Sequence, residues 1–113
     1  MPHSYCPKRG DVVWLSFTPQ AGHEQMGHRP ALTLSPETYN KKTGLAIFCP
    51  MTTQIKNYPF EVPIVSGDRI SGVVLADQVK SLDWQTRGAR FYFKASDNIL
   101  SEVSNKLSVL LGF

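Results

Sequence analysis

The apolar residues of this chain come in short runs, each stopped by proline, glycine or polar residues before a helix could form. Such runs span Asp11 to Phe17, Ala31 to Ser35, Leu45 to Met51, Phe60 to Ile64, Ser71 to Ala76 and Arg90 to Lys94. Their length and alternation are those of β-strands. Only beyond Ser96 does the spacing change. Ile99, Val103, Leu107, Leu110 and Leu111 then follow a helical period, with Ser96 as N-cap, Asp97 in the first turn and Gly112 as the stop. Short strands in series and one C-terminal amphipathic helix predict a mainly β protein. The expected architecture is a small barrel or strongly bent antiparallel sheet closed by the helix, one domain over residues 1–113.

The strands carry finer expectations. In the first, Val13, Leu15 and Phe17 share one face, and Val12 and Trp14 the other. Both faces are apolar, as suits a closed sheet. Pro30 fits a strand start, Pro50 a strand end or bulge, and Pro63 an edge strand, because proline gives no N–H to a ladder. Residues 36–44 read as polar and turn-rich, 66–68 as a turn, and 81–87 as a single helical turn. Phe91 and Phe93 are expected to face inward.

With 113 residues, 42% hydrophobic and 19% charged, the chain is long enough to bury a core without staples. A net charge of +3 leans towards an anionic partner such as nucleic acid, although many proteins carry as much by chance. Cys6 and Cys49 have neither a zinc spacing nor a redox Cys-x-x-Cys, and Cys49 reads as a buried thiol. Met1 to Gly10 lacks the apolar stretch of a signal peptide, and no run reaches the ~20 residues of a membrane span. A reducing cytoplasm is the expected location.

Polar chemistry concentrates in three places. Gly22-His23-Glu24-Gln25-Met26-Gly27-His28-Arg29-Pro30 holds two histidines, a carboxylate, an amide and an arginine within a long loop feeding a strand. His23 and His28 have no third ligand at metal-binding spacing. Arg29 offers a planar fork that matches phosphate oxygens, and His23 or Glu24 could move a proton beside it. The same arginine could instead form a structural salt bridge with Glu24 or Asp77. Thr52-Thr53-Gln54 with Lys56, just past an apolar strand, could donate to a phosphate or merely cap a turn. Asp77-Gln78-Val79-Lys80 is the third cluster, readable as an ordinary strand-end turn. There is no Gly-rich loop ending in Gly-Lys-Ser/Thr and no Gly-x-Ser-x-Gly elbow, which argues against a nucleotide triphosphatase or a serine hydrolase.

Taken together, a set of short motifs resembles the MazF/PemK toxin family. They are Arg9-Gly10-Asp11-Val12-Val13-Trp14, Gly22-His23-Glu24-Gln25, Gly27-His28-Arg29-Pro30-Ala31, Leu34-Ser35-Pro36, Tyr39-Asn40, Lys42-Thr43-Gly44, Pro50-Met51-Thr52-Thr53-Gln54, Tyr58-Pro59-Phe60-Glu61-Val62 and Ala76-Asp77-Gln78-Val79-Lys80-Ser81. Each is weak alone. In the family's order, over nearly the whole chain and without a long insertion, they are specific, and most like the MazF branch.

The resemblance implies a toxin of a type II toxin–antitoxin pair with an SH3-like, CcdB/MazF-type barrel, usually a homodimer. It implies a ribosome-independent endoribonuclease that cuts single-stranded mRNA at a short sequence without a metal or other cofactor. The 2′-hydroxyl attacks the adjacent phosphate, leaving 2′,3′-cyclic phosphate and 5′-hydroxyl ends. Arg29 and Thr52 match the family's active site. Glu24 matches a position important in the MazF branch, as proton acceptor or as the group orienting Arg29, with His23 in reserve. His23 and Asp77 match participants proposed for the Kid/PemK branch, but that branch has an arginine where this chain has Leu75, which weakens a catalytic role for Asp77. Phe17, His28, Thr53, Gln54, Lys56, Asp77 and Gln78 are the expected RNA contacts, since single strands are read by stacking and by hydrogen bonds to base edges. A small acidic antitoxin is the implied partner, its disordered tail ordering on binding. The competing readings are a CcdB-like gyrase poison, which needs a C-terminal Trp-Gly-Ile where this chain reads Leu111-Gly112-Phe113, and a barrel that binds nucleic acid without cutting it.

Overall fold

A computed structural model describes residues 5–17, 27–66 and 69–113. The strands are β1 (Asp11–Ser16), β2 (His28–Thr33), β3 (Leu45–Thr52), β4 (Glu61–Ser66), β5 (Arg69–Leu75), β6 (Lys80–Asp83) and β7 (Arg90–Lys94). Helix α1 (Glu37–Thr43) joins β2 to β3, and α2 (Asp97–Leu111) follows β7. All pairings are antiparallel, in the order β4-β5-β3-β2-β1-β7, with β6 also laid along β3. The result is a strongly curled sheet, a half-barrel, with the C-terminal helix against it.

Because side chains alternate along a strand, the sheet buries both of its faces. On one, Val12, Leu32, Cys49, Met51, Val62 and Val74 pack with Val103 of α2, and Ile99 and Leu107 join them. On the other, Val13, Leu15, Ala31, Ala46 and Phe48 pack beneath Trp84. Phe48, Leu15 and Leu32 are fully buried, each worth roughly 1.5–3 kcal/mol of transfer free energy. Cys49 is free and buried, and burial, with the Asp77 charge nearby, pushes its thiol up to about 12. Among the described residues no helix is long and apolar enough to cross a membrane.

The prolines settle where N–H groups are not needed. Pro63 lies in β4, an edge strand, as expected. Pro30 faces Trp14 of β1, while β2 does not begin to pair with β3 until Ala31. Pro50 is neither at a strand end nor on a bulge but inside β3. It sits where that strand's outer edge passes from β6, paired through Phe48, to β5, paired from Met51.

Other expectations fail for identifiable reasons. Residues 37–43 are a helix rather than turns, with Glu37 in its first turn, Lys41 and Lys42 in its last, and Gly44 left-handed at φ 76°. Its buried residue is Asn40, so no apolar stripe announced it. The Asn40 amide donates to the carbonyls of Pro7 (2.8 Å) and Ser35 (3.0 Å), and its oxygen accepts from the Ser35 hydroxyl (2.5 Å). The helical turn expected over 81–87 begins late. Residues 80–83 are a strand, because the edge of β3 at Leu45 to Phe48 offers four ladder positions to them. The turn follows, with Arg87 N–H donating to the Asp83 carbonyl at 3.2 Å. Phe91 is 52% exposed, against an expectation of burial: it pairs with Val13 but lies at the rim of that face, where Tyr5 covers it edge-on at 6.1 Å. Leu110 and Leu111, in the last turn of α2, are exposed too. Its N-cap is as expected, Ser96 Oγ accepting from Ile99 N–H at 3.2 Å.

Candidate functional site

The site forms where β2 and β3 part. Their ladder pairs Thr33 with Phe48, Leu32 with Cys49 and Ala31 with Pro50, and then stops. Continuing that register by two residues sets Arg29 opposite Thr52, each on the free end of its strand. Two cavities of about 330 Å³ and 210 Å³ open here, and Arg29 and Thr52 line both. The larger is aromatic and apolar, walled by Trp14, Met51, Tyr92 and Phe93. The smaller is polar, walled by Gln54, Lys56, Tyr58, Glu61 and Gln78.

Each wall is held from behind. Thr52 Oγ1 accepts from Gln54 N–H at 3.1 Å, which caps the turn and leaves the hydroxyl proton to donate elsewhere. On the far side of Thr52, a Cβ on Gly72 would meet the Thr52 carbonyl at 2.9 Å, so only glycine lets β5 approach this closely. Glu61, buried, accepts from the backbone N–H groups of Lys56 and Asn57, both at 2.9 Å, clamping a turn in which Asn57 adopts φ 62°. Lys106 of α2 donates to the Pro59 carbonyl at 2.6 Å. The Tyr58 hydroxyl donates to Asp77 at 2.8 Å, linking this connection to the Asp77-Gln78 turn. That bond, with some burial, pushes the Tyr58 phenol up to about 12, so it stays a donor through the physiological range.

Of the residues expected from sequence, the structure brings Arg29, Thr52, Thr53, Gln54, Lys56 and Gln78 to these two cavities. Asp77 is engaged by Tyr58 rather than by Arg29. Among the described residues no hydrogen bond or ion pair holds the Arg29 guanidinium. Phe17 and His28 line neither cavity: Phe17 lies beneath Lys80 (Nζ to ring centroid 5.7 Å), and His28 pairs with Ser16 at the start of β2. His23 and Glu24 fall outside the described residues. Among the described residues no three His, Cys, Asp or Glu side chains gather closely enough to hold a metal. Sequence reasoning missed Glu61, Tyr58 and Gly72, whose roles depend on contacts across strands, and it missed Tyr92. Leu75, where an arginine was the alternative, is an apolar part of the polar cavity's wall.

A guanidinium with no partner among the described residues and a threonine hydroxyl stand at the mouth of a half-barrel, between an aromatic and a polar hollow, an arrangement able to hold an anion. That is the class of protein the fold and site describe: a small curled-sheet half-barrel with an open site suited to an anionic group. The sequence is 48% identical over 112 residues to the endoribonuclease toxin MazF of Escherichia coli strain K12, covering 99% of this chain and 100% of that one. The fold is similar to the crystal structure of MazF from Deinococcus radiodurans, with a TM-score of 0.86 and 54% identity over 97% of this chain and 100% of that one. It is also similar to that organism's MazE–MazF structure, with a TM-score of 0.85 and 46% identity over 97% and 99% of the two chains. The chain belongs to the PemK-like, MazF-like toxins of type II toxin–antitoxin systems, whose family profile matches residues 8–111, and is an endoribonuclease of that type.

Proposed function

We propose that this toxin cuts single-stranded mRNA at a short sequence, independently of ribosomes, by attack of a 2′-hydroxyl on the adjacent phosphate. The observation that carries the reading is that Arg29 and Thr52 stand at the junction of both cavities, with the guanidinium held by no other described residue. In-line attack builds negative charge on the phosphoryl oxygens. A preorganised cation and a hydroxyl donor stabilise that charge more in the transition state than in the substrate. Because Arg29 supplies the positive charge, the reaction runs without a metal. Glu24 takes the 2′-hydroxyl proton or orients Arg29, and His23 is the reserve for that role. Thr53, Gln54, Lys56 and Gln78 contact the RNA beside the cut, while Phe17, His28 and Asp77 extend or brace the groove.

The partner is a small acidic antitoxin whose tail lies over the groove, the toxin acts as a homodimer, and both work in the cytoplasm. The solved MazE–MazF structure of the Deinococcus relative supports the pairing. The test is incubation with mixed-sequence RNA in excess EDTA, mapping cut sites and end groups. Cuts at one short word, with 2′,3′-cyclic phosphate and 5′-hydroxyl ends, are expected. Loss of cleavage in EDTA, or 3′-hydroxyl ends, would overturn the mechanism.

A further inference from the structure

The aromatic cavity has a feature that catalysis at Arg29 does not require. The β1–β7 ladder pairs Val12 with Phe93 but Val13 with Phe91, so Tyr92 is the extra residue of a β-bulge. In an unbroken register Tyr92 would stand opposite Val13 and share its face, which packs on the second core cluster. The bulge turns it instead onto Trp14, ring centroids 4.8 Å apart and 29° from parallel. Bulges commonly re-aim a side chain next to a functional site. Phe93 meets Tyr92 edge-on, at 4.9 Å and 78°, and braces it.

This stack is not core. Tyr92 is 49% exposed and Trp14 is half-buried. Both rings line the cavity that Arg29 and Thr52 also line. Trp14 reaches it through its cross-strand partner Pro30, the residue next to Arg29. An aromatic surface and a cation within one cavity of about 330 Å³ present a face for a base and a charge for its phosphate. A nucleotide offers that pair of groups. Aromatic faces accept any base, because every base has a π-surface.

We propose that Tyr92, supported by Trp14, is a stacking platform for one base of the RNA, the base of a nucleotide next to the phosphate held by Arg29. This rests on the endoribonuclease reading and adds to it a subsite in the aromatic cavity, distinct from the polar one. Stacking fixes the strand's path past Arg29, while hydrogen bonds in the polar cavity read base edges.

The test uses the full chain and RNA oligonucleotides spanning a mapped cut, with a 2′-deoxy nucleotide at the scissile position to block cleavage. Tyr92→Leu keeps apolar bulk but removes the ring, and should weaken binding on the order of 5- to 150-fold. Tyr92→Phe keeps the stack and should bind like the parent chain. In a series with a single abasic position, the Tyr92→Leu defect should vanish at one position next to the cut and persist elsewhere. The proposal fails if Tyr92→Leu binds the intact oligonucleotide normally, or if its defect is the same on every abasic version. It fails too if only binding of an acidic antitoxin peptide suffers, which would assign the platform to a protein partner. The two readings separate cleanly. A parent chain that leaves all-ribose RNA uncut removes both, whereas cleavage with normal Tyr92→Leu binding removes only the platform.

Discussion

Two polar clusters interrupt this otherwise apolar sheet, and they differ in what their polar atoms are doing. Around Asn40 every side-chain group is spoken for: the amide serves Pro7 and Ser35, the Ser35 hydroxyl serves the amide oxygen, and the Trp84 indole donates to the Asn40 carbonyl at 3.0 Å. Around Arg29 the neighbouring groups are held from behind and open in front. Thr52 accepts from Gln54 and keeps its proton, Glu61 grips the backbone of the Lys56 turn, and Arg29 faces two cavities. The first cluster is buried and saturated and so builds the fold. The second leaves donors unsaturated and so has groups to offer a ligand. Residue types alone do not separate them, because both contain amides and hydroxyls; the accounting of hydrogen bonds does.

The contrast predicts opposite phenotypes. Arg29→Ala should lower RNA cleavage on the order of 100- to 1,000-fold, while the denaturation midpoint reports a stability change within about 0.5 kcal/mol. Asn40→Ala should do the reverse. Two carbonyls and a hydroxyl lose their partner in a buried site, costing about 2–4 kcal/mol in urea unfolding, while the folded fraction keeps its specific activity. A variant at Asn40 that stays stable but loses activity would collapse the distinction.

Glu61→Gln falls between the two. An amide of the same size can accept from one of the two backbone N–H groups but not both, so about 1–3 kcal/mol of stability should go. As the Lys56 turn loosens, steady-state kinetics should show KM rising more than kcat falls, marking Glu61 as a positioning residue.

The smallest effect is at Tyr58. Its phenol rises from 10.0 to about 12 in the fold, so the folded state favours the protonated form. That contribution is complete below pH 10.0 and disappears as pH climbs through about 12. The pair is solvent-facing, which keeps the gain to at most about 1 kcal/mol. Unfolding curves of the parent chain and Tyr58→Phe should therefore differ slightly at neutral pH and converge in alkali.

Much of the fold was legible in the sequence because it rests on local periodicity. Val13 and Leu15 against Val12, the run from Leu45, and Ile99-Val103-Leu107 after a serine cap each state their element within a few residues. The failures share one cause. Helix α1 buries an asparagine instead of an apolar stripe, β6 is a strand only because the edge of β3 needs a partner, and Tyr92 turns onto Trp14 because of a bulge. In the site, Arg29, Thr52, Gln54, Lys56 and Gln78 could be named from residue chemistry and family resemblance. Glu61 and Gly72 could not, since a carboxylate that holds backbone N–H groups and a glycine that avoids a carbonyl leave no local signal.

By itself, then, the sequence determined the strand count to within one or two, the closing helix, the family and the charged residue that lines both cavities. These depend on side-chain identity and spacing along the chain. The tertiary structure decided where β2 and β3 part, which polar groups end up saturated, and that Tyr92 lies on Trp14 beside Arg29. Those are outcomes of register between strands far apart in sequence, and a shift of one residue there sends a side chain to the opposite face of the sheet.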